Sequence, residues 1–173
     1  MNNLNKVLFE KIYHKRHRFL TIASWLISNG SFLVLFFLSF ILFLIILKQN
    51  FEFTLKIFLN SFLAVALVKL VVDKLIKKYY YKPRPFVFYE SIEGIGKKEK
   101  NSTLPSGHVT MVTAIVFTII FYSPAVIWLI LAIPLVMWSR IYNGMHWPLD
   151  VLVGFFLGAF IANVSFVLIN FLF

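Results

Sequence analysis

The sequence predicts an all-α, polytopic membrane helix bundle of about five to six helices, led by an N-terminal amphipathic helix. Three observations predict it. Of the 173 residues, 60% are hydrophobic and 14% charged, with a mean hydropathy of +0.84; an ordinary soluble domain carries about 25% charged residues. Apolar runs recur along the chain at lengths suited to a bilayer, where one crossing takes about 20 residues. Near the N-terminus, by contrast, apolar and basic residues alternate at helical spacing. The length suits a single membrane domain, 1–173.

Met1 to Arg18 mixes Lys6, Lys11, Lys15, Arg16 and Arg18 with Leu4, Val7, Leu8, Phe9, Ile12 and Tyr13. The apolar positions recur at three and four, which predicts a helix lying in the interface. The apolar run behind it continues too far for a cleavable signal peptide. Phe19 to Ile27 reads as a shallow helix, Ser28-Asn29-Gly30 as a break, and Ser31 to Leu47 as the first full span. Leu55 to Ile76 is the second span. It carries Lys69, Asp73 and then Lys77 at successive spacings of four, so Asp73 can pair with either lysine. The polar connection 78–105 follows, a surface loop lying over the membrane end. Its Asn101-Ser102-Thr103 fits a glycosylation sequon, which chance explains better. The third span runs from Gly107 to Tyr122, and Ser123-Pro124 turns the chain tightly. The fourth runs from Ala125 to Ile141 with a kink expected at Pro134. The fifth runs from Trp147 to Phe173, with Pro148 tolerated in its first turn and Gly154 and Gly158 offering a face for close packing.

Composition also limits the chemistry. There is no cysteine, which rules out disulfides and thiolate metal sites. A net charge of +10 would suggest nucleic acid for a soluble protein. Here the basic residues lie beside apolar spans, so anionic membrane lipids and phosphate are the expected partners, not nucleic acid. No protein partner is implied.

Three short motifs sit at the ends of these spans. Lys77 precedes Arg84-Pro85 by seven residues, and Pro83 and Pro85 stiffen the backbone around Arg84. Alone, such a basic aromatic stretch is ordinarily an interfacial belt. Pro105-Ser106-Gly107-His108 opens the third span; Ser106 suits an N-cap, and the free amides beyond it favour an anion. Alone, this is merely a helix start. Arg140 ends the fourth span, His146 opens the fifth and Asp150 follows at helical spacing of four. Ionisable residues at such depth are functional candidates before they are anchors. In an alternating bundle, the ends carrying Lys77, Ser106, Arg140 and His146 all fall on one side of the membrane.

Together and in this order, the motifs resemble the phosphatidic acid phosphatase type 2 superfamily, which includes lipid phosphatases and soluble vanadium haloperoxidases. The resemblance covers Lys77 to Asp150; the N-terminal third matches only as generic membrane helices. It implies a lipid phosphatase that needs no metal or cofactor and works through a phosphohistidine. His146 would be the nucleophile, and Asp150 would hold its far ring nitrogen. His108 would protonate the leaving oxygen and then activate water. Lys77, Arg84 and Arg140, with the Ser106 hydroxyl and the Gly107 amide, would bind the non-bridging oxygens. Candidate substrates are the 1-phosphate of lipid A, to which the compact basic site leans, undecaprenyl diphosphate, phosphatidylglycerophosphate and phosphatidic acid. A haloperoxidase is disfavoured by the spans, and a non-catalytic lipid-binding protein by the presence of both His108 and His146.

The resemblance further implies a bacterial inner membrane and a site facing the periplasm or exterior. The basic N-terminal segment would point that end to the cytoplasm under the positive-inside rule. Several of the basic residues belong to the phosphate site itself, however, and so report poorly on topology.

Overall fold

In the computed structural model, which describes residues 3–14, 17–28, 51–96 and 101–172, every regular element is helical. The N-terminal pattern folds as α1 (Asn3–Tyr13), and α2 (Arg18–Ser28) follows it. The second expected span becomes α3 (Phe51–Tyr79), continuous and longer at both ends than expected. A single turn, α4 (Pro85–Phe88), interrupts the polar connection. The remaining helices are α5 (Gly107–Tyr122), α6 (Pro124–Tyr142) and α7 (Pro148–Leu172). The expected first full span, Ser31 to Leu47, lies outside the described residues.

Helices α3, α6 and α7 are each long and apolar enough to cross a membrane. The protein is an integral membrane protein. At 16 residues, α5 rises only about 24 Å. It is the central helix, with Val109, Val112, Thr113, Val116 and Ile119 all buried. It packs chiefly on α7, then on α3. The glycines of α7 make that approach possible. A Cβ at Gly158 would lie 2.5 Å from the Thr110 carbonyl oxygen, and one at Gly154 2.9 Å from that of Ser106.

Two helices depart from regular α geometry. In α3 the stretch Lys69–Ile76 is π-helical, widening the helix beside the site. Asp73 still reaches Lys77, 3.2 Å away, as the sequence allowed. Where a proline kink was expected in α6, the chain runs as 3-10 helix over Pro124–Leu131 and becomes α-helical at Ala132. The missing N–H of Pro134 therefore falls in the first turn of the α segment, where no intrahelical partner is required.

Helix α1 does more than rest in the interface. It buries Asn5, Phe9 and Tyr13, spaced by four, against the bundle, while Leu4, Val7 and Leu8 stay exposed. Asn5 Oδ1 accepts from the Leu149 N–H, capping α7, and the Tyr13 hydroxyl accepts from the Glu93 N–H of the polar connection. Helix α2 is tied down by Asn143: its Oδ1 accepts from Ser24 Oγ at 2.7 Å, and its Nδ2 donates to Ser28 Oγ at 2.9 Å. Both N-terminal helices thus brace the segment that carries His146.

Candidate active site

The site begins with how α6 stops. Gly144 adopts φ +69°, a left-handed conformation that glycine enters without steric penalty. The Gly144 N–H donates to the Ile141 carbonyl, and the Met145 and His146 N–H groups both donate to the Arg140 carbonyl. This is a Schellman C-cap, in which the orphan carbonyls at a helix end are satisfied by the reversing chain. It fixes His146 directly behind Arg140. Trp147 then anchors the segment: its Nε1 donates to the Pro83 carbonyl, and its ring packs against Phe9 and Phe88.

A cavity of about 500 Å³ opens at this end of the bundle, lined by Lys77, Arg84, Gly107, His108, Arg140 and His146. Six of the eight residues singled out in the sequence therefore meet on one surface. Lys69, Lys78 and Asn101 share the lining, with Val68, Val72 and Met111 on its apolar side and Asp73 as its one acid among the described residues. Among the described residues the lining carries five cations and one carboxylate, a balance that favours an anion. A methyl at Gly107 would stand 3.6 Å from Lys77 Nζ, an ordinary contact, so the position tolerates a side chain of that size. The His108 ring faces the cavity and makes no hydrogen bond among the described residues.

Arg84 is held as a fork, 2% exposed. Its Nη2 donates to Asn101 Oδ1 at 2.6 Å, its Nε to the Asn101 carbonyl at 3.3 Å, and its Nη1 to the Met145 carbonyl at 3.2 Å. The same Nη1 stands 3.4 Å from His146 Nε2. His146 is itself buried, with Nδ1 2.8 Å from the Thr103 carbonyl oxygen. A carbonyl accepts only, so Nδ1 carries the proton and Nε2 keeps its lone pair. Burial, reinforced by the charges of Arg140 and Arg84, pushes the His146 pKa down, so the ring is neutral at physiological pH.

Asp150 and Ser106 stand elsewhere than the sequence placed them. Asp150 is fully buried and does not line the cavity. Its Oδ2 accepts from the Trp147 N–H at 3.0 Å and from Thr103 Oγ1 at 2.6 Å, and its Oδ1 pairs with Lys82 Nζ at 2.5 Å. The expected direct contact with His146 is replaced by Thr103. Spacing of four joins two side chains only when both lie in the helix, and α7 begins at Pro148, after His146. Asp150 instead turns back over the helix start, as an acid at the third helical position does in a capping box. Ser106 holds the N-cap position of α5, but its hydroxyl makes no cap hydrogen bond. That hydroxyl is buried without a partner among the described residues. Its N–H donates to the Asp150 carbonyl, joining the starts of α5 and α7.

Three contributors went unread in the sequence. Lys82 was hidden inside a basic aromatic stretch, Thr103 inside a passing sequon, and Asn101 beside it. The one available signal was their position, within five residues of Arg84 or of the Ser106-Gly107-His108 motif.

These features define a helical membrane protein with a buried neutral imidazole facing a cationic cavity. The chain belongs to the PAP2 superfamily, whose family model matches residues 54–173. An undecaprenyl-diphosphatase of Sulfolobus acidocaldarius is 34% identical over 57% of this chain and 48% of its own length. The chain spans about half the length of the curated relatives it matches first. Among solved structures it is similar to Aquifex aeolicus LpxE, with 29% identity, 95% of both chains covered and a TM-score of 0.65. A transmembrane PAP2 type phosphatidylglycerolphosphate phosphatase from Bacillus subtilis shares the fold, with a TM-score of 0.68 at 20% identity over 98% of this chain and 84% of its own.

Proposed function

We propose that this protein is a lipid phosphate phosphatase that releases inorganic phosphate through a phosphohistidine on His146. One observation carries the reading: the His146 Nδ1–H donates to the Thr103 carbonyl, which leaves the Nε2 lone pair beside Arg84 in a cavity of cations. Nε2 attacks phosphorus, the bond from phosphorus to the lipid oxygen breaks, and His108 gives that oxygen its proton. His108 then takes a proton from water as water attacks the phosphohistidine, releasing phosphate and restoring His146. Lys77, Arg84 and Arg140 hold the non-bridging oxygens, and the charge that builds on them is stabilised by groups already in place. The Gly107 amide at the start of α5 and the Ser106 hydroxyl are further donors for that group. No step requires a metal ion.

For the substrate, a polyprenyl diphosphate is the better reading than the lipid A 1-phosphate to which the sequence leaned. The similarity to an undecaprenyl-diphosphatase supports it, as do Lys69 and Lys78, cations in the lining beyond the three assigned to one phosphoryl group. We place the protein in a bacterial cytoplasmic membrane with the site on the periplasmic or exterior face.

The test is phosphate release in detergent from undecaprenyl diphosphate, lipid A 1-phosphate, phosphatidylglycerophosphate and phosphatidic acid, with and without EDTA. The diphosphate should turn over fastest, EDTA should change nothing, and His146→Ala should lose at least about 10⁴-fold, as loss of a nucleophile does elsewhere. Activity of His146→Ala within tenfold of wild type would exclude the phosphohistidine. Activity that EDTA abolishes and Mg²⁺ or Zn²⁺ restores would exclude the metal-free route.

A further inference from the structure

Behind His146 lies a buried cluster that does not line the cavity. Thr103 is fully buried and meets His146 twice: its carbonyl oxygen is 2.8 Å from Nδ1 and its Oγ1 3.1 Å from the same nitrogen. The single hydroxyl proton of Thr103 goes to Asp150 Oδ2 at 2.6 Å, much the shortest acceptor distance available to it, since the Met145 carbonyl is 3.4 Å away. Asp150 in turn is 0% exposed, and its only cationic partner among the described residues is Lys82, at 2.5 Å. A carboxylate out of water is costly unless it is paired and hydrogen-bonded, and Lys82 supplies that pairing. The Lys82 backbone is itself tied to this segment, because the Thr103 N–H donates to the Lys82 carbonyl at 3.0 Å and the Lys82 N–H to Ser102 Oγ at 3.1 Å.

We infer that Thr103 is the positioning residue of the nucleophile, and that Asp150 and its counter-ion Lys82 act on His146 through it. This inference rests on the phosphohistidine reading and deepens it. The polar connection thereby becomes part of the nucleophile's mounting. Its backbone carbonyl sets the His146 tautomer, and the Thr103 hydroxyl clamps that carbonyl to the start of α7. Second-layer hydrogen bonds of this kind set tautomer and ring orientation where histidine is a ligand, and the same logic holds where it is a nucleophile.

The test compares Thr103→Val, which keeps the shape and removes the hydroxyl, with Thr103→Ser, which keeps the hydroxyl and removes a methyl. With farnesyl diphosphate in detergent micelles as probe, Thr103→Val should lower kcat by about 10- to 100-fold with KM within twofold. Thr103→Ser should recover most of that loss. If Thr103 only filled space, valine would be the tolerated variant and serine the damaging one, and that result would overturn the inference. A double-mutant cycle adds an independent reading. If Asp150 acts through Thr103, Thr103→Val with Asp150→Asn should be no slower than the worse single variant, and Lys82→Met should fall on the same non-additive cycle. Multiplicative losses would mean that Asp150 reaches His146 by another route. A third measurement needs no turnover: ¹⁵N labelling of the four histidines should show the His146 ring as the Nδ1–H tautomer. An Nε2–H ring would overturn the inference even in an active enzyme. Failure of the phosphohistidine reading has a separate signature, activity surviving in His146→Ala, and would remove this inference with it.

Discussion

Arg84 and His146 show what the site asks of individual side chains. The Arg84 guanidinium uses Nε, Nη1 and Nη2 on Asn101 and Met145 while one edge stays on the cavity. A lysine at 84 keeps the charge but cannot satisfy those carbonyls and contact an anion together. Each charge-assisted bond is worth about 1.5–3 kcal/mol, so Arg84→Lys should lower kcat/KM by roughly tenfold or more. Kinetics within threefold of wild type would show the fork to be dispensable. His146 makes a second prediction. Its folded pKa lies well below the ordinary 6.5 because of burial and then Arg140 and Arg84. Below about pH 6.5 the unfolded chain takes up a proton that the folded chain refuses, so stability rises with pH across that window and is lost as pH falls. The thermal midpoint of the wild type should therefore drop between about pH 7 and pH 5 by more than that of His146→Asn. Parallel slopes would contradict the sign.

Among the elements, the α5–α7 contact sets the site's geometry. His108 leads α5, and α7 starts just beyond His146, so the spacing of the two catalytic candidates depends on how closely these helices approach. Gly158 permits that approach, since a side chain there would meet the backbone of Thr110 and the Thr113 Cβ, 2.7 Å away. Without a hydrophobic drive between lipid-embedded helices, close packing at small residues is a main source of association. Gly158→Val should destabilise the detergent-solubilised protein by roughly 1–3 kcal/mol. Phe156→Ala, on the exposed face of the same helix, should cost less. A smaller effect at Gly158 than at Phe156 in thermal unfolding would refute the packing argument.

On the scale of the whole molecule, the cavity, α1 and the polar connection share one end of the bundle. Our placement of that end on the periplasmic or exterior face runs against the positive charge it carries. Single cysteines at Ser91 in the polar connection and at Ser123 between α5 and α6 separate the two orientations. On intact cells or spheroplasts an impermeant thiol reagent should label Ser91→Cys and spare Ser123→Cys. The reverse pattern would put the site in the cytoplasm.

The sequence by itself determined the class of fold, most helix bounds and six of the residues that meet in the cavity. Gly107–Tyr122 begins and ends where the apolar run does, and Lys77, Arg84, His108, Arg140 and His146 converge because alternating spans bring those ends to one side. These properties follow from local composition and from the bilayer, which permits few ways to dispose a long apolar run. Only the tertiary structure decided how His146 is held. The spacing of His146 and Asp150 suggested a pair, but a Schellman turn leaves His146 outside the helix and sends Asp150 to Trp147, Thr103 and Lys82. Lys82 and Thr103 are 68 and 47 residues from Asp150. No local pattern encodes such a contact, because it exists only once the polar connection has folded back over the end of the bundle.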